Sequence, residues 1–465
     1  MTVLSTFPAD TSGPDARDTL NDMLTKVQAA NLLTVPQIAC LGDSNVFLNW
    51  GSNPSTGTAQ INPPTQGILQ CRGFAFWAQT LCDARVEFPQ ALNFGVSGET
   101  STDILARVDQ AASSAAAAVV VMAGTNDFGA ADLPYATTIA NLTAIITALR
   151  AKSKRVLLLT VPPRGHPTSH YFSGATDARL LRLFAVNTWM KRVASQMRGV
   201  TVIDPWGDIA DPASLYGDFL AGMVNAGDVA HITSASAYQI GKLLAAEFNR
   251  LYPPIDWLPK SNTDLFDATS NPVGALNTNP MMLGTAGTLS GTTPTPTGQV
   301  ADGWTLSGVD AGLTLAASKQ IVGNDTRQRL VLGGTPGAGA DRIITLGQAV
   351  SQSSGRIVAG DVLEGFARVS VAASTGFYGL ALILQETYNP GSGSVTVQTN
   401  CGNSGQGVDN LMPTEAWSGV LRLPPLVIPA GTLTSLQFRL RAWAQQSTAV
   451  SATIDVTGMA LRKII

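Results

Sequence analysis

The chain has 465 residues, enough for two or three domains of about 150 residues, each with a buried core. Hydrophobic residues make up 45% and charged residues 13%, which excludes a largely disordered chain. With 29 Lys plus Arg against 32 Asp plus Glu, the net charge of −3 supplies no polycationic surface, so a nucleic-acid partner is not expected.

The opening residues, MTVLSTFPADTSGPDARD, lack the basic and apolar regions of a signal peptide, and no apolar run is long enough to cross a bilayer. The expectation is a chain without membrane insertion, made in the cytosol. Four cysteines, Cys40, Cys71, Cys82 and Cys401, are too sparse for a disulfide framework and are expected as free thiols. Cys71 and Cys82 are the one pair close enough in sequence to bridge.

Residues 1–35 contain one amphipathic helix, about Arg17 to Ala30. From Pro36 to about Tyr252 short apolar runs alternate with longer amphipathic stretches, the pattern of βαβ units around a parallel sheet. The predicted strands are Ile38 to Leu41, Ala91 to Phe94, Val119 to Met122, Val156 to Val161 and Thr201 to Ile203. Helices are predicted over Phe74 to Cys82, Thr102 to Ala116, Tyr135 to Lys152, Asp177 to Gln196 and Ser236 to Tyr252. Between Asn49 and Gly67 a stretch rich in Asn, Pro, Gly, Ser and Thr breaks the rhythm and reads as a long surface insertion.

At Tyr252-Pro253-Pro254 the helical pattern stops. Residues 258–465 hold 12 Lys/Arg, 12 Asp/Glu and no His, with Gly/Thr-rich spacers such as Gly284 to Gly298. Alternating segments at Leu380 to Gln385, Ser394 to Thr399, Ser435 to Trp443 and Ala452 to Leu461 describe an antiparallel β-sandwich. The expected organisation is therefore a segment 1–35, an α/β domain over 36–257 and a sandwich over 258–465.

Four short blocks carry chemistry. Ile38-Ala39-Cys40-Leu41-Gly42-Asp43-Ser44-Asn45 sets a serine directly after a buried strand, at the sheet edge where open α/β sheets place their sites. Asn93-Phe94-Gly95-Val96-Ser97-Gly98-Glu99-Thr100 supplies glycines whose N–H groups a ligand can approach. Ala123-Gly124-Thr125-Asn126-Asp127 delivers a side-chain amide to the same edge, with Asp127 read as a structural turn residue. Asp228-Val229-Ala230-His231 puts a base three residues after a carboxylate able to orient it. Hydrogen-bond donors fixed in place for a developing oxyanion are what acyl transfer requires.

Taken as a set, these blocks resemble the SGNH (GDSL-like) hydrolase superfamily, over roughly residues 36–252. The resemblance implies a flavodoxin-like sheet of strand order 2-1-3-4-5, with Ser44, Asp228 and His231 as the catalytic triad. It also implies an oxyanion hole made by the Ser44 N–H, Gly98 and Asn126. The activity implied is that of a serine esterase, with no metal or other cofactor.

The polar insertion, the low charge and the added sandwich, which resembles carbohydrate-binding and jelly-roll modules, favour an acetylated polysaccharide as substrate. A bacteriophage tail fibre or tailspike, lacking an export signal and often trimeric, is the expected origin, with other tail proteins as partners. A lipase or thioesterase acting on small acyl esters and a non-catalytic glycan-binding adhesin are the alternatives. His166 and His170 lie in a proline-rich loop and are candidates for a substrate rim rather than a metal site. Trp304, Phe377, Tyr378, Trp417 and Trp443 are mostly core, with sugar stacking the other role open to them.

Overall fold

The structure is a computed structural model that describes residues 35–51, 59–61, 68–129, 131–164, 176–225, 230–293, 295–309, 312–323, 325–338, 342–352, 355–391, 393–402 and 411–464. The predicted helix Arg17 to Ala30 lies outside the described residues, as do Asp228, His166 and His170.

Five parallel strands form the first sheet in the order Asn93–Gly95, Ile38–Gly42, Ala118–Met122, Arg155–Leu159 and Val200–Ile203. In sequence numbering this is the 2-1-3-4-5 order. The central strands Ile38–Gly42 and Ala118–Met122 are buried along their whole length, as strands covered on both faces must be. One face is covered by the helices Tyr135–Ala151 and Ala178–Arg192, whose Leu142, Ile145, Leu149, Leu183 and Met190 enter the same apolar cluster as Leu41, Val119 and Val121.

The other face receives the helices Phe74–Leu81 and Ser234–Leu251. Residues Phe74 to Thr80 are all buried, so Phe74–Leu81 is a helix enclosed on every side. A Cβ at Gly241 would lie 2.3 Å from Trp77 Cβ, and this close approach is what the glycine in the last helix permits.

Helix ends differ from expectation by a few residues, and one predicted helix divides. Where Thr102 to Ala116 was expected, the chain forms Ser101–Ala106 and Asp109–Ala112, with a break at Arg107-Val108.

The remainder is all-β. A seven-stranded and a nine-stranded sheet face one another among the described residues. Their inner faces share one apolar cluster, in which Leu363, Leu421 and Ile454 of the first meet Leu382, Phe438 and Leu440 of the second. The four predicted segments lie within or across Phe377–Asn389, Val395–Gly402, Thr432–Ala444 and Val450–Ile464. Trp304, Phe377, Trp417 and Trp443 are buried and serve as core.

The insertion between Asn49 and Gly67 departs most from expectation. In place of a surface loop alone, its neighbourhood contributes the short strands Trp50–Gly51, Ala59–Ile61 and Ile68–Leu69 to the nine-stranded sheet. Ala59 to Ile61 and Leu69 pair in parallel with Thr396 to Gln398 and Cys401 of the second domain. The two domains thus share a sheet as well as a core. Trp77 makes edge-to-face contacts with Tyr238 and with Trp417 of the sandwich, at 5.0 and 5.2 Å between ring centroids.

Arg422 reinforces the junction. It is 4% exposed, donates to Glu364 Oε1 at 2.5 Å, lies 3.5 Å from Glu87 of the α/β domain, and faces the Trp257 ring. All four cysteines are buried free thiols, so Cys71 and Cys82 are not bridged.

Candidate active site

The site is built on the carboxyl edge of the parallel sheet. The strand Ile38–Gly42 ends in glycine for a steric reason, because a Cβ at Gly42 would lie 2.1 Å from the Met122 carbonyl oxygen and 2.6 Å from Val46 Cγ2. The chain turns at Asp43, whose Oδ1 accepts the Asn45 N–H at 2.9 Å and caps the short helix Ser44–Phe47. Ser44 is partly exposed there, between the buried side chains of Asp43 and Asn45.

Gly95 lets the second block approach this turn, since a Cβ on it would stand 2.2 Å from Phe47 N. The Val96 N–H then donates to the Gly42 carbonyl at 3.0 Å. Gly98 follows with φ +81°, and a Cβ there would meet nothing within 4 Å. Its glycine therefore answers to backbone conformation rather than to crowding, and the main chain there is open.

In the third block, Asn126 Nδ2 donates to the Glu99 carbonyl at 2.9 Å, which uses one of its two protons and leaves the other. Asp127 is fully buried and accepts from Ser101 N at 2.7 Å, Ser101 Oγ at 2.5 Å and Thr138 Oγ1 at 2.7 Å. Its carboxylate fastens the Asn126 turn to the start of two helices. Arg164, beyond the fourth strand, donates from Nε to Thr125 Oγ1 at 2.8 Å.

The last block is fixed through Asn45. Its Oδ1 accepts the Ile232 N–H at 3.1 Å, and the His231 carbonyl accepts the Asn225 N–H at 2.8 Å. His231 lies near enough to act electrostatically on Asp43. Burial pushes the Asp43 carboxyl up to about 6, opposed by the Asn45 N–H and by the neighbouring Arg164 and His231, while Asp127 adds to the rise.

Ser44, Gly98, Asn126 and His231 thus come to one edge of one sheet. A hydroxyl, an open glycine N–H, an amide and an imidazole at one edge are the components of acyl transfer through a serine.

Residues 40–233 match the model of the GDSL-like Lipase/Acylhydrolase family. The matched stretch contains Ser44, Gly98, Asn126, Asp228 and His231. Ester hydrolysis is the activity that family implies. No curated protein sequence matches the chain significantly.

Among solved structures, a GDSL-like lipase from Bacteroides thetaiotaomicron VPI-5482 is 16% identical, covering 50% of this chain and 97% of that one with a TM-score of 0.33. A carbohydrate esterase family 3 structure from Talaromyces cellulolyticus is 19% identical, covering 46% and 97% with a TM-score of 0.32. A structure of carbohydrate-binding modules from the β-sandwich superfamily is 10% identical, covering 34% and 56% with a TM-score of 0.23.

Sequence reasoning passed over three residues that build the candidate site: Asn45, Arg107 and Arg164. Asn45 had a signal, standing directly after the serine. Arg107 and Arg164 had none, because the partners that tie them to the Ser44 and Asn126 turns, the Gly42 carbonyl and Thr125, lie 65 and 39 residues away in the chain.

Proposed function

We propose that the protein is a serine esterase that removes acetyl groups from a carbohydrate, a bacterial surface polysaccharide being the class of substrate. The observation that carries this reading is the junction of Asn45 with Ile232, which sets the His231 loop beside the turn that bears Ser44.

In this reading Ser44 Oγ attacks the ester carbonyl while His231 takes its proton. The tetrahedral oxyanion is met by the N–H groups of Ser44 and Gly98 and by the free proton of Asn126 Nδ2. Collapse returns the proton from His231 to the departing sugar oxygen. Water, deprotonated by His231, then hydrolyses the acetyl-serine ester and releases acetate. Asp228 is proposed as the carboxylate that orients His231.

Two features support the carbohydrate. The sandwich is joined to the esterase domain by a shared sheet, so a long substrate bound to it would stay at a fixed place relative to Ser44. The charged fraction of 13% suits a neutral polymer.

A second reading, hydrolysis of longer acyl esters, is favoured by one observation. Phe47 and Val96, on the two segments that meet beside Ser44, are 52% and 43% exposed and present an apolar lip. Acetate release from acetylated bacterial polysaccharides, compared with hydrolysis of aryl esters of increasing acyl length, decides between them. Preference for acetyl and for the polymer supports the first; turnover rising with chain length and falling in Phe47→Ala supports the second.

A further inference from the structure

The short helix Ser101–Ala106 opens with a capping box between Thr100 and Asp103 and ends at Arg107, whose side chain turns back to the sheet edge. There its guanidinium makes four hydrogen bonds, one of them a long contact from Nη1 to Gln110 Oε1 at 3.4 Å and three to the sheet edge. Nε donates to Glu99 Oε2 at 2.6 Å, Nη1 to the Phe94 carbonyl at 2.9 Å and Nη2 to the Gly42 carbonyl at 2.9 Å.

Those acceptors belong to the segments that carry the reactive groups. Gly42 is two residues before Ser44, Phe94 is in the strand that leads to Gly98, and Glu99 is the residue after Gly98. Glu99 also gives its carbonyl to Asn126 Nδ2 at 2.9 Å. One planar fork therefore ties together the turns of Ser44, Gly98 and Asn126.

We infer that Arg107 is the positioning residue of the oxyanion hole, setting the Gly98 N–H and the Asn126 amide relative to Ser44 through Glu99. This rests on the reading of Ser44 as the nucleophile.

Little packing holds the Gly98 turn: Val96, Ser97 and Gly98 are exposed, and a Cβ on Gly98 would meet no atom within 4 Å. The conformation of that turn must come from its ends, and Phe94 and Glu99 are the ends that Arg107 grips. The ion pair is also shielded: the side chains are 14% and 18% exposed, so water competes weakly. A lysine ammonium has neither the reach of a fork nor its fixed plane, and cannot serve all three acceptors in this geometry.

The test compares Arg107→Ala, Arg107→Lys and Glu99→Gln with Ser44→Ala in the full-length protein, using a small acetyl ester, a fluorophosphonate probe and thermal unfolding. A displaced oxyanion donor costs about 10-fold to 100-fold in rate. Arg107→Ala is expected to lower kcat by about that factor, with KM within about threefold and the rate of fluorophosphonate labelling falling in parallel. Added guanidinium ion at millimolar concentration is expected to restore part of the Arg107→Ala activity, which it would not do for a variant that had lost only stability. Arg107→Lys should fall between, and Glu99→Gln, which keeps an acceptor, should lose less than Arg107→Ala.

The inference is overturned if folded Arg107→Ala keeps kcat within about twofold of the parent, or if its loss appears in Tm alone with no guanidinium rescue. Should Arg107→Ala fail to fold, the same readouts on Arg107→Lys and Glu99→Gln decide. Full activity in Ser44→Ala would instead remove the reading on which the inference stands, and the two failures are distinct.

Discussion

The Oδ1 of Asn45 accepts the backbone N–H of Ile232 at 3.1 Å, joining the residue after Ser44 to the residue after His231 across 187 positions of sequence. Both partners are buried, so the bond is protected from water. Asn45→Ala leaves the Ile232 N–H without its acceptor, at a cost of about 1–3 kcal/mol in stability. Because that bond also sets the His231 loop, kcat should fall by about tenfold or more. Unfolding curves and steady-state kinetics on the same preparation check both; a stability loss with unchanged kcat would show that the bond holds the fold and not the base.

The junction of the domains gives a second expectation. Gly419 of the sandwich lies against the backbone of the helix Phe74–Leu81, where a Cβ would stand 2.1 Å from the Thr80 carbonyl oxygen. Gly419→Ala must push the two domains apart and should cost several kcal/mol, in the range of an overpacked core. The same contact bears on truncation. A chain ending near Lys260 loses Trp417 from Trp77 and the strand partners of Ala59 to Ile61 and of Leu69, exposing a helix buried on every side. Such a fragment is expected to aggregate and to lose activity on small esters and polymer alike. A soluble fragment with near-normal activity on a small ester would contradict this.

Glu386 supplies a pH test of the sandwich. It is fully buried, both carboxyl oxygens lack a hydrogen-bond partner among the described residues, and burial pushes it from 4.5 up to about 8. A raised carboxyl favours folding below the unfolded value, and that advantage is lost as pH rises through the folded one. Stability should therefore decline between about pH 4.5 and pH 8 on this group's account. Glu386→Gln should remove the decline and stabilise the protein at pH 9 relative to pH 5, by on the order of a few kcal/mol. Denaturant melts of both proteins at the two pH values measure it; an equal difference at both would contradict it.

Much of the α/β domain was legible because its signals are local. Apolar runs mark four of the five strands, glycines end the first two, and Ser44, Gly98, Asn126 and His231 each follow a strand or precede a helix within a few residues. What escaped was non-local. Trp50–Gly51 and Ile68–Leu69 are two residues long, too short for any periodicity; they pair with each other, and Leu69 joins the sheet through Cys401 of the second domain. The helix expected over Thr102 to Ala116 breaks at Arg107, whose side chain reaches Glu99, the Phe94 carbonyl and, 65 residues away in the chain, the Gly42 carbonyl. The sandwich showed its longest strands by alternation, whereas the Gly/Thr-rich strand Ala286–Thr293 has no apolar pattern to reveal it.

The oxyanion donor is tested by Asn126→Ala. Its Nδ2 is held by the Glu99 carbonyl at 2.9 Å, so in the proposed mechanism the change removes a donor fixed in place. A loss in kcat of about 10²-fold to 10³-fold with KM little changed is expected. Loss confined to KM would make Asn126 a binding residue.

Covalent capture of the nucleophile tests the central claim most directly. The full-length protein is treated with a fluorophosphonate, digested, and the modified residue located by mass spectrometry, with Ser44→Ala treated alongside. A single adduct on Ser44, absent from Ser44→Ala together with a loss of esterase turnover by several orders of magnitude, is the predicted result. An adduct on another residue, or Ser44→Ala retaining more than about a tenth of the activity, would contradict it.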